Sequence, residues 1–238
     1  MDETPREPLT VWQFLLRHVA WIAIGSLLLF AVGGVLVVWL PYQREQRIAR
    51  MIESSGGNVE YRYCGPGWIP ESVAERLSFL SRIELVCGLN HAVSAELISE
   101  LRSLTYLETL DLGFTQITDS GLEHLKGLTN LKLLSLNNTQ ITDEGLKHLK
   151  GMTSLNMLAL NNTQITDEGL KHLKGMTSLQ TLTLQNTKVT DAGLEHLKGL
   201  SSLQFLLIDN TQVTAEGRAM LRKALPGCTT DPSLPHSL

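Results

Sequence analysis

The chain has 238 residues, a formal net charge of −4 and only 18% charged residues. That excludes a polybasic nucleic-acid binder, whose footprint is a basic stripe on a basic domain. With 43% hydrophobic residues and no low-complexity tract, the composition fits one folded domain plus one apolar span.

The first predicted element is that span, Val19 to Leu40, a stretch of 22 residues without a charge after an N-terminal tail of residues 1–18. A helix of that length reaches roughly 33 Å, enough to cross a hydrocarbon core of about 30 Å. Trp21 and Trp39 lie near its ends, where indole rings favour the membrane interface, and Pro41 marks an exit. A cleaved secretory signal is the competing reading, but its apolar region is normally about 7 to 15 residues and a small-x-small site follows it, which WLPYQREQ does not offer. The flanking cations, Arg6 and Arg17 before and Arg44, Arg47 and Arg50 after, are too evenly split to set the orientation. Cys64, Cys87 and Cys228 are an odd number without disulfide-framework or zinc spacing. Free thiols tilt the balance weakly to a cytoplasmic repeat domain on a single-pass membrane protein.

Next, residues 41–57 are predicted as a connector helix, with Ile48, Met51 and Ile52 on one apolar face and Gly56-Gly57 as its stop. It either rests on the following segment or lies on anionic lipid through its arginines. Residues 58–82 are predicted as an N-terminal cap made of a short strand, VEYRYC, and a Pro-led helix, PESVAERLSFL. Cys64 and Cys87, 23 residues apart on adjacent strands, are expected to face opposite sides.

From Leu107 one phrase recurs every 24 residues, opening at Leu107, Leu131, Leu155, Leu179 and Leu203. A degenerate copy at 83–106 is traced by Ile83, Val86, Val93, Ile98, Leu101 and Leu104. Each unit reads L-x-x-L-x-L-x-x-T-x-[IV]-T-[DA]-x-G-L-x-x-L-K-G, with the last unit departing after its Gly. A fixed period of this size means a solenoid, because a single unit cannot bury its apolar face alone. Alternation points Leu110 and Leu112 inward, and Ile117, Ile141, Ile165, Val189 and Val213 close the turn. TDEGLKHLKG is predicted as about two helical turns with Thr142 or Asp143 as N-cap, Gly151 as the stop and Asp143–Lys147 and Asp167–Lys171 as i,i+4 pairs on an exposed face. Residues 83–216 are therefore the repeats, and residues 217–238 a C-terminal cap and tail whose last strand, near Cys228 to Thr230, covers the final coil.

These units resemble the leucine-rich repeat family, and most closely a bacterial type with T-x-I-T-D-x-G-L in its second half, often found behind an N-terminal membrane anchor. The resemblance implies an α/β fold, a right-handed solenoid with a parallel inner sheet and short outer helices, here preceded by a single transmembrane helix. One departure is that the family's Asn or Cys is replaced by Thr115, Thr139, Thr163, Thr187 and Thr211, whose hydroxyls can bond the turn backbone, with Asn138, Asn162, Asn186 and Asn210 sharing the task.

Chemistry-bearing patterns are sparse. His124, His148, His172 and His196 recur at one helical position, but zinc needs nitrogens within about 2.1 Å of a common point, so they are read as an exposed ladder and no metal or cofactor is expected. Phosphate loops, nucleophile elbows and H-E-x-x-H are missing, and the carboxylates fall once per turn rather than in a pocket, so no catalytic residue is assigned. The outward sheet positions are expected to form three rows: Leu85, Thr109, Leu133, Met157, Thr181, Phe205; Cys87, Asp111, Ser135, Ala159, Thr183, Leu207; and Leu89, Gly113, Asn137, Asn161, Gln185, Asp209. Apolar groups with amides and few charges resemble an interface centre. The expected function is non-catalytic recognition of a protein or peptide, with Leu133, Met157, Phe205 and Leu207 as anchors and Asn137, Asn161, Gln185, Asp111 and Asp209 beside them. The alternative is a structural or adaptor subunit that packs on another membrane protein or on itself.

Overall fold

The computed structural model describes residues 40–64, 81–89 and 93–230. The span expected at 19–40 lies outside them except for Leu40, as does the helix expected within the cap. Among the described residues no helix is long and apolar enough to cross a membrane. The chain divides into two units, residues 1–44 and 45–238; of the first, only residues 40–44 are described.

The second unit is built on one seven-stranded sheet whose strands follow chain order: β1 (Asn58–Tyr63), β2 (Ser81–Cys87), β3 (Thr109–Asp111), β4 (Leu133–Ser135), β5 (Met157–Ala159), β6 (Thr181–Thr183) and β7 (Phe205–Leu207). β1 runs antiparallel to β2, and every later pair is parallel. The helices are α1 (Leu40–Ser54), α2 (Ala95–Leu101), α3 (Asp119–Glu123), α4 (Asp143–Leu146), α5 (Asp167–Leu170), α6 (Asp191–Leu194) and α7 (Ala215–Ala224). Each of α2 to α6 joins one parallel strand to the next, as a parallel pair requires.

The 24-residue period is the sheet register itself, since Leu110 pairs with Leu134, Leu134 with Leu158, Leu158 with Leu182 and Leu182 with Leu206. All five are fully buried. One coil alone, from Leu131, buries Leu134, Leu136, Ile141, Leu146, Leu149 and Met152 as well. Each fully buried side chain contributes about 1.5–3 kcal/mol, so stacked coils supply the stability that a lone coil lacks.

Strands are short because each coil must turn sharply after its L-x-L segment. The turn is made in the left-handed region by Asn138, Asn162, Asn186 and Asn210, at φ of 55 to 57°, which Asn tolerates better than most residues. Phe114 holds the equivalent position at φ 59° and is 59% exposed, a strained placement for a bulky side chain. One residue on, a buried threonine closes the turn: the hydroxyls of Thr115, Thr139, Thr163 and Thr187 donate to the carbonyls of Leu112, Leu136, Leu160 and Leu184 at 2.6–2.7 Å. Thr therefore bonds the turn backbone, while the neighbouring Asn residues contribute backbone conformation.

The outer segment differs from two plain α-turns. Thr142 is the N-cap and accepts from the Glu144 amide, α4 lasts four residues, and a 3₁₀ turn at Lys147–Leu149 follows. Gly151 then leaves at φ 110°, a conformation open to glycine.

At the front, α1 buries Glu45, Ile48, Ala49 and Ile52. The Glu45 carboxylate accepts from the Ile83 amide at 3.1 Å and faces Arg82 at 3.5 Å, and Arg47 bonds Glu100 at 2.7 Å. Burial still raises the Glu45 carboxyl above its ordinary value, against the lowering effects of Ile83 and then Arg82. Because β1 is antiparallel, Asn58 pairs with Cys87 and Tyr63 with Ser81. Cys64 and Cys87 thus lie toward opposite ends of the strand pair. Behind β7, the Thr229 amide donates to Gln204 at 2.7 Å, its carbonyl accepts from Leu206 at 2.9 Å, and Arg218 bonds the Thr230 carbonyl. Cys228 is buried there, which pushes its thiol up to about 11.

Candidate interaction surface

The sheet face opposite the helices brings the predicted residues into rows. Leu85, Thr109, Leu133, Met157, Thr181 and Phe205 pair in sequence across β2 to β7 and are all half-buried. Asp111, Ser135, Ala159, Thr183 and Leu207 form the second row. Three members are not exposed as expected. Ala159 and Thr183 are buried at 2% and 5% exposure. Leu89 belongs to the core cluster, beside Gly57, where an added Cβ would stand 2.9 Å from it. Among the described residues, the buried Thr183 hydroxyl has no hydrogen-bond partner.

The third row is a ladder of side-chain amides. The Asn137 carbonyl oxygen accepts from the Asn161 amide and that of Asn161 from the Gln185 amide, both at 2.8 Å, and the Gln185 side chain donates to Asp209 at 2.8 Å. Asp111 accepts from the Gly113 amide at 2.9 Å. Alternation alone misses a fourth row, because two successive positions face out at the start of each L-x-x-L: Glu84, Glu108, Lys132, Asn156, Gln180 and Gln204. Its first half is charged and self-paired. Arg62 of β1 bonds Glu84 and, at 2.6 Å, Glu108, which also takes Lys132 at 2.7 Å. The Lys132 hydrogen bond first, then Arg62, holds the Glu108 carboxyl below the usual range. Over β5 to β7 the same four rows carry one charge, Asp209. The sheet face therefore has a charged, ion-paired end and an apolar, amide-lined end.

On the helical side the structure changes the reading of the aspartates. Asp143 does not pair with Lys147, nor Asp167 with Lys171. Lys147 and Lys171 instead pair with Glu144 and Glu168, three residues earlier. The aspartates reach across to the next coil: Asp119, Asp143, Asp167 and Asp191 each accept from both the backbone amide and the hydroxyl of Thr142, Thr166, Thr190 and Thr214, at 2.6–2.9 Å. Charge-assisted bonds of this kind are about twice as strong as neutral ones. An added Cβ at Gly145, Gly169, Gly193 or Gly217 would run into the same carboxylates. The T-D-x-G phrase is thus an interlock between neighbouring coils, and its signal in the sequence is the 23-residue spacing from Asp to Thr.

His124, His148, His172 and His196 are half-buried rather than exposed. Burial, then Lys174 and Lys171, lower the His196 value. Among the described residues no group of three or more His, Cys, Asp or Glu is placed to hold a metal ion.

Residues 105–165 match the family model described as leucine rich repeat. Over that stretch the coils are similar to leucine-rich repeats, and the fold is a leucine-rich-repeat-like α/β solenoid. No curated protein matches the chain. Among solved structures, the internalin InlF from Listeria monocytogenes superposes with a TM-score of 0.50 and 25% identity, covering 58% of this chain and 38% of its own. Internalin C2 from the same organism gives 0.47 and 33%, covering 56% and 55%. The leucine-rich-repeat ectodomain of the receptor kinase SOBIR1 from Arabidopsis thaliana gives 0.46 and 15%, covering 73% and 97%. The chain spans less than two thirds of the length of either internalin.

Proposed function

We propose that this chain is a non-catalytic leucine-rich-repeat module that recognises a protein partner through the outward sheet face of β4 to β7, held at a membrane by residues 19–40. The observation that carries this reading is the apolar, amide-lined end of that face. Leu133, Met157, Phe205 and Leu207 stand half-exposed there, flanked by Asn156, Gln180 and Gln204. Charge-depleted surface with aromatic and Met side chains is the composition of interface centres, and a repeat stack spreads it over several coils. Asn137, Asn161 and Gln185 use their carbonyl oxygens within the ladder or donate to Asp209. They act as a rigid frame for the anchors more than as free hydrogen-bonding groups. The anchor part of the reading is supported by the uncharged 22-residue stretch.

Met157→Glu and Phe205→Glu, introduced singly into the full chain and pulled down from solubilised membranes, test this. The expected outcome is loss of a defined wild-type partner while circular dichroism and thermal midpoint stay near wild type. An unchanged partner set with folding intact contradicts it and favours a structural subunit that uses another surface.

A further inference from the structure

We propose that the junction between the first coil (β2 and α2) and the second (β3 and α3) is a built-in weak joint, where the first coil and β1 detach together while residues 107–230 stay folded. In a repeat stack, stability is a sum of coil terms and nearest-neighbour interface terms, so the weakest interface opens first. Three observations single out this interface, and a fourth is shared with its neighbour, all independently of how the sheet face is used.

The aspartate interlock is broken here. The position 23 residues before Thr118 is Ala95, whereas the next four junctions each carry an Asp bonded twice to a Thr. Thr118 makes no side-chain cap bond, and its hydroxyl meets Ser120 at 3.0 Å instead. The amide ladder is also missing, because Leu89 stands where Asn137 and Asn161 accept in later coils, a lack shared with the next junction, where Gly113 holds that position. Strand pairing covers two residue pairs, Leu85 with Thr109 and Val86 with Leu110, against three at each later junction. Finally, a half-open pocket of about 190 Å³ lies between α2 and α3, lined by Val93, Ala95, Ile98, Ile117, Thr118 and Gly121 among others. Space between coils forfeits dispersion contacts on both walls.

Across the junction, the side-chain links among the described residues include the hydrogen bond from Asn130 to the Thr105 carbonyl at 2.7 Å and the ion pair from Arg62 to Glu108. That pair is solvent-accessible and weakens with salt. Opening would swing α1 and the first coil relative to the apolar end of the sheet face, so the joint is a hinge between them.

Hydrogen exchange on the full chain tests the proposal through five equivalent amides. Glu108, Lys132, Asn156, Gln180 and Gln204 each donate to the carbonyl one coil back, at 2.7–2.8 Å. The Glu108 amide is expected to exchange about tenfold or more faster than the other four, the difference that one charge-assisted hydrogen bond makes. It should speed up further in about 0.5 M salt. Gln204 separates a weak joint from simple fraying, since it lies near the other end of the stack at a junction that Asp191 and Thr214 do interlock. Ala95→Asp, at an exposed position, should slow Glu108 about tenfold and leave Gln180 unchanged. Equal protection of the five amides, or a Glu108 amide that Ala95→Asp does not slow, overturns the proposal.

Discussion

The coils from Leu107 to Thr214 and the coil before them are built on the same leucines but joined differently. Between the later coils, each junction adds an Asp to Thr interlock on the helical side, and from Asn137 onward an amide ladder on the sheet side. The first coil shares the buried core, with Ile83, Val86, Leu97 and Leu101 all at 1% exposure or less. It is held instead by α1, by the antiparallel β1 and by the Arg62 charge network. Hydrophobic period sets where a coil lies, and polar side chains spaced nearly one period apart set how tightly it is tied.

The largest expected effect comes from breaking the interlock in mid-stack. Gly193→Ala drives a methyl into the Asp167 carboxylate, and overpacking together with loss of two bonds to a charged group predicts a cost of about 2–4 kcal/mol in denaturant unfolding. In an Asp167→Ala background the same substitution should cost much less, because the nearest obstruction is gone, Leu170 Cδ1 at 3.0 Å being the movable end of a side chain, and Ala is the better helix former by about 1 kcal/mol. Additive costs in that double-mutant cycle would break the interlock account. Gly127→Ala, which meets nothing within 4 Å, serves as the control.

A smaller gain is expected where one of the later coils departs from its own pattern. Phe114→Asn restores the residue that the other turns use at positive φ and should raise stability by about 1 kcal/mol. No change in the thermal midpoint would mean that the turn carries no strain.

The smallest effect sharpens the first-coil side. The Glu45 carboxyl is raised above 4.5 by burial, so the folded state holds this proton more tightly than the unfolded one. Its stabilising contribution is complete below the unfolded value and is lost as pH rises through the folded value. Glu45→Gln should therefore gain on wild type as pH rises above 4.5, read as relative denaturant midpoints. A difference that is flat with pH would show that burial does not govern this carboxyl.

Much of the fold is legible in the sequence because its cause is local and periodic. Leu110, Leu134, Leu158 and Leu182 are buried in register as the 24-residue spacing demands, and the threonines bond the turn backbone as their hydroxyls allow. What escapes is whatever joins residues one coil apart. Asp143 looks like an i,i+4 partner for Lys147 when the helix is read alone, yet it prefers Thr166, which offers two donors. The direction of β1 escapes for a similar reason, since alternation within a strand does not depend on its orientation. On the sheet face, alternation places Leu133, Met157, Phe205 and Leu207 outward, whereas the row from Glu84 to Gln204 escapes it, because strict alternation cannot describe two consecutive outward positions. Ala159 and Thr183 sit in register on that face yet are buried, which alternation alone does not reveal.

The central functional claim is that the apolar end of the sheet face, rather than the helical side, meets a partner. The direct measurement is site-specific photocrosslinking in intact cells, with the crosslinker at Phe205 or Met157 on the sheet and, for comparison, at Lys150 on the helical side. The account predicts a discrete adduct from Phe205 and Met157 and none from Lys150. An adduct from Lys150 with the sheet positions silent would contradict it.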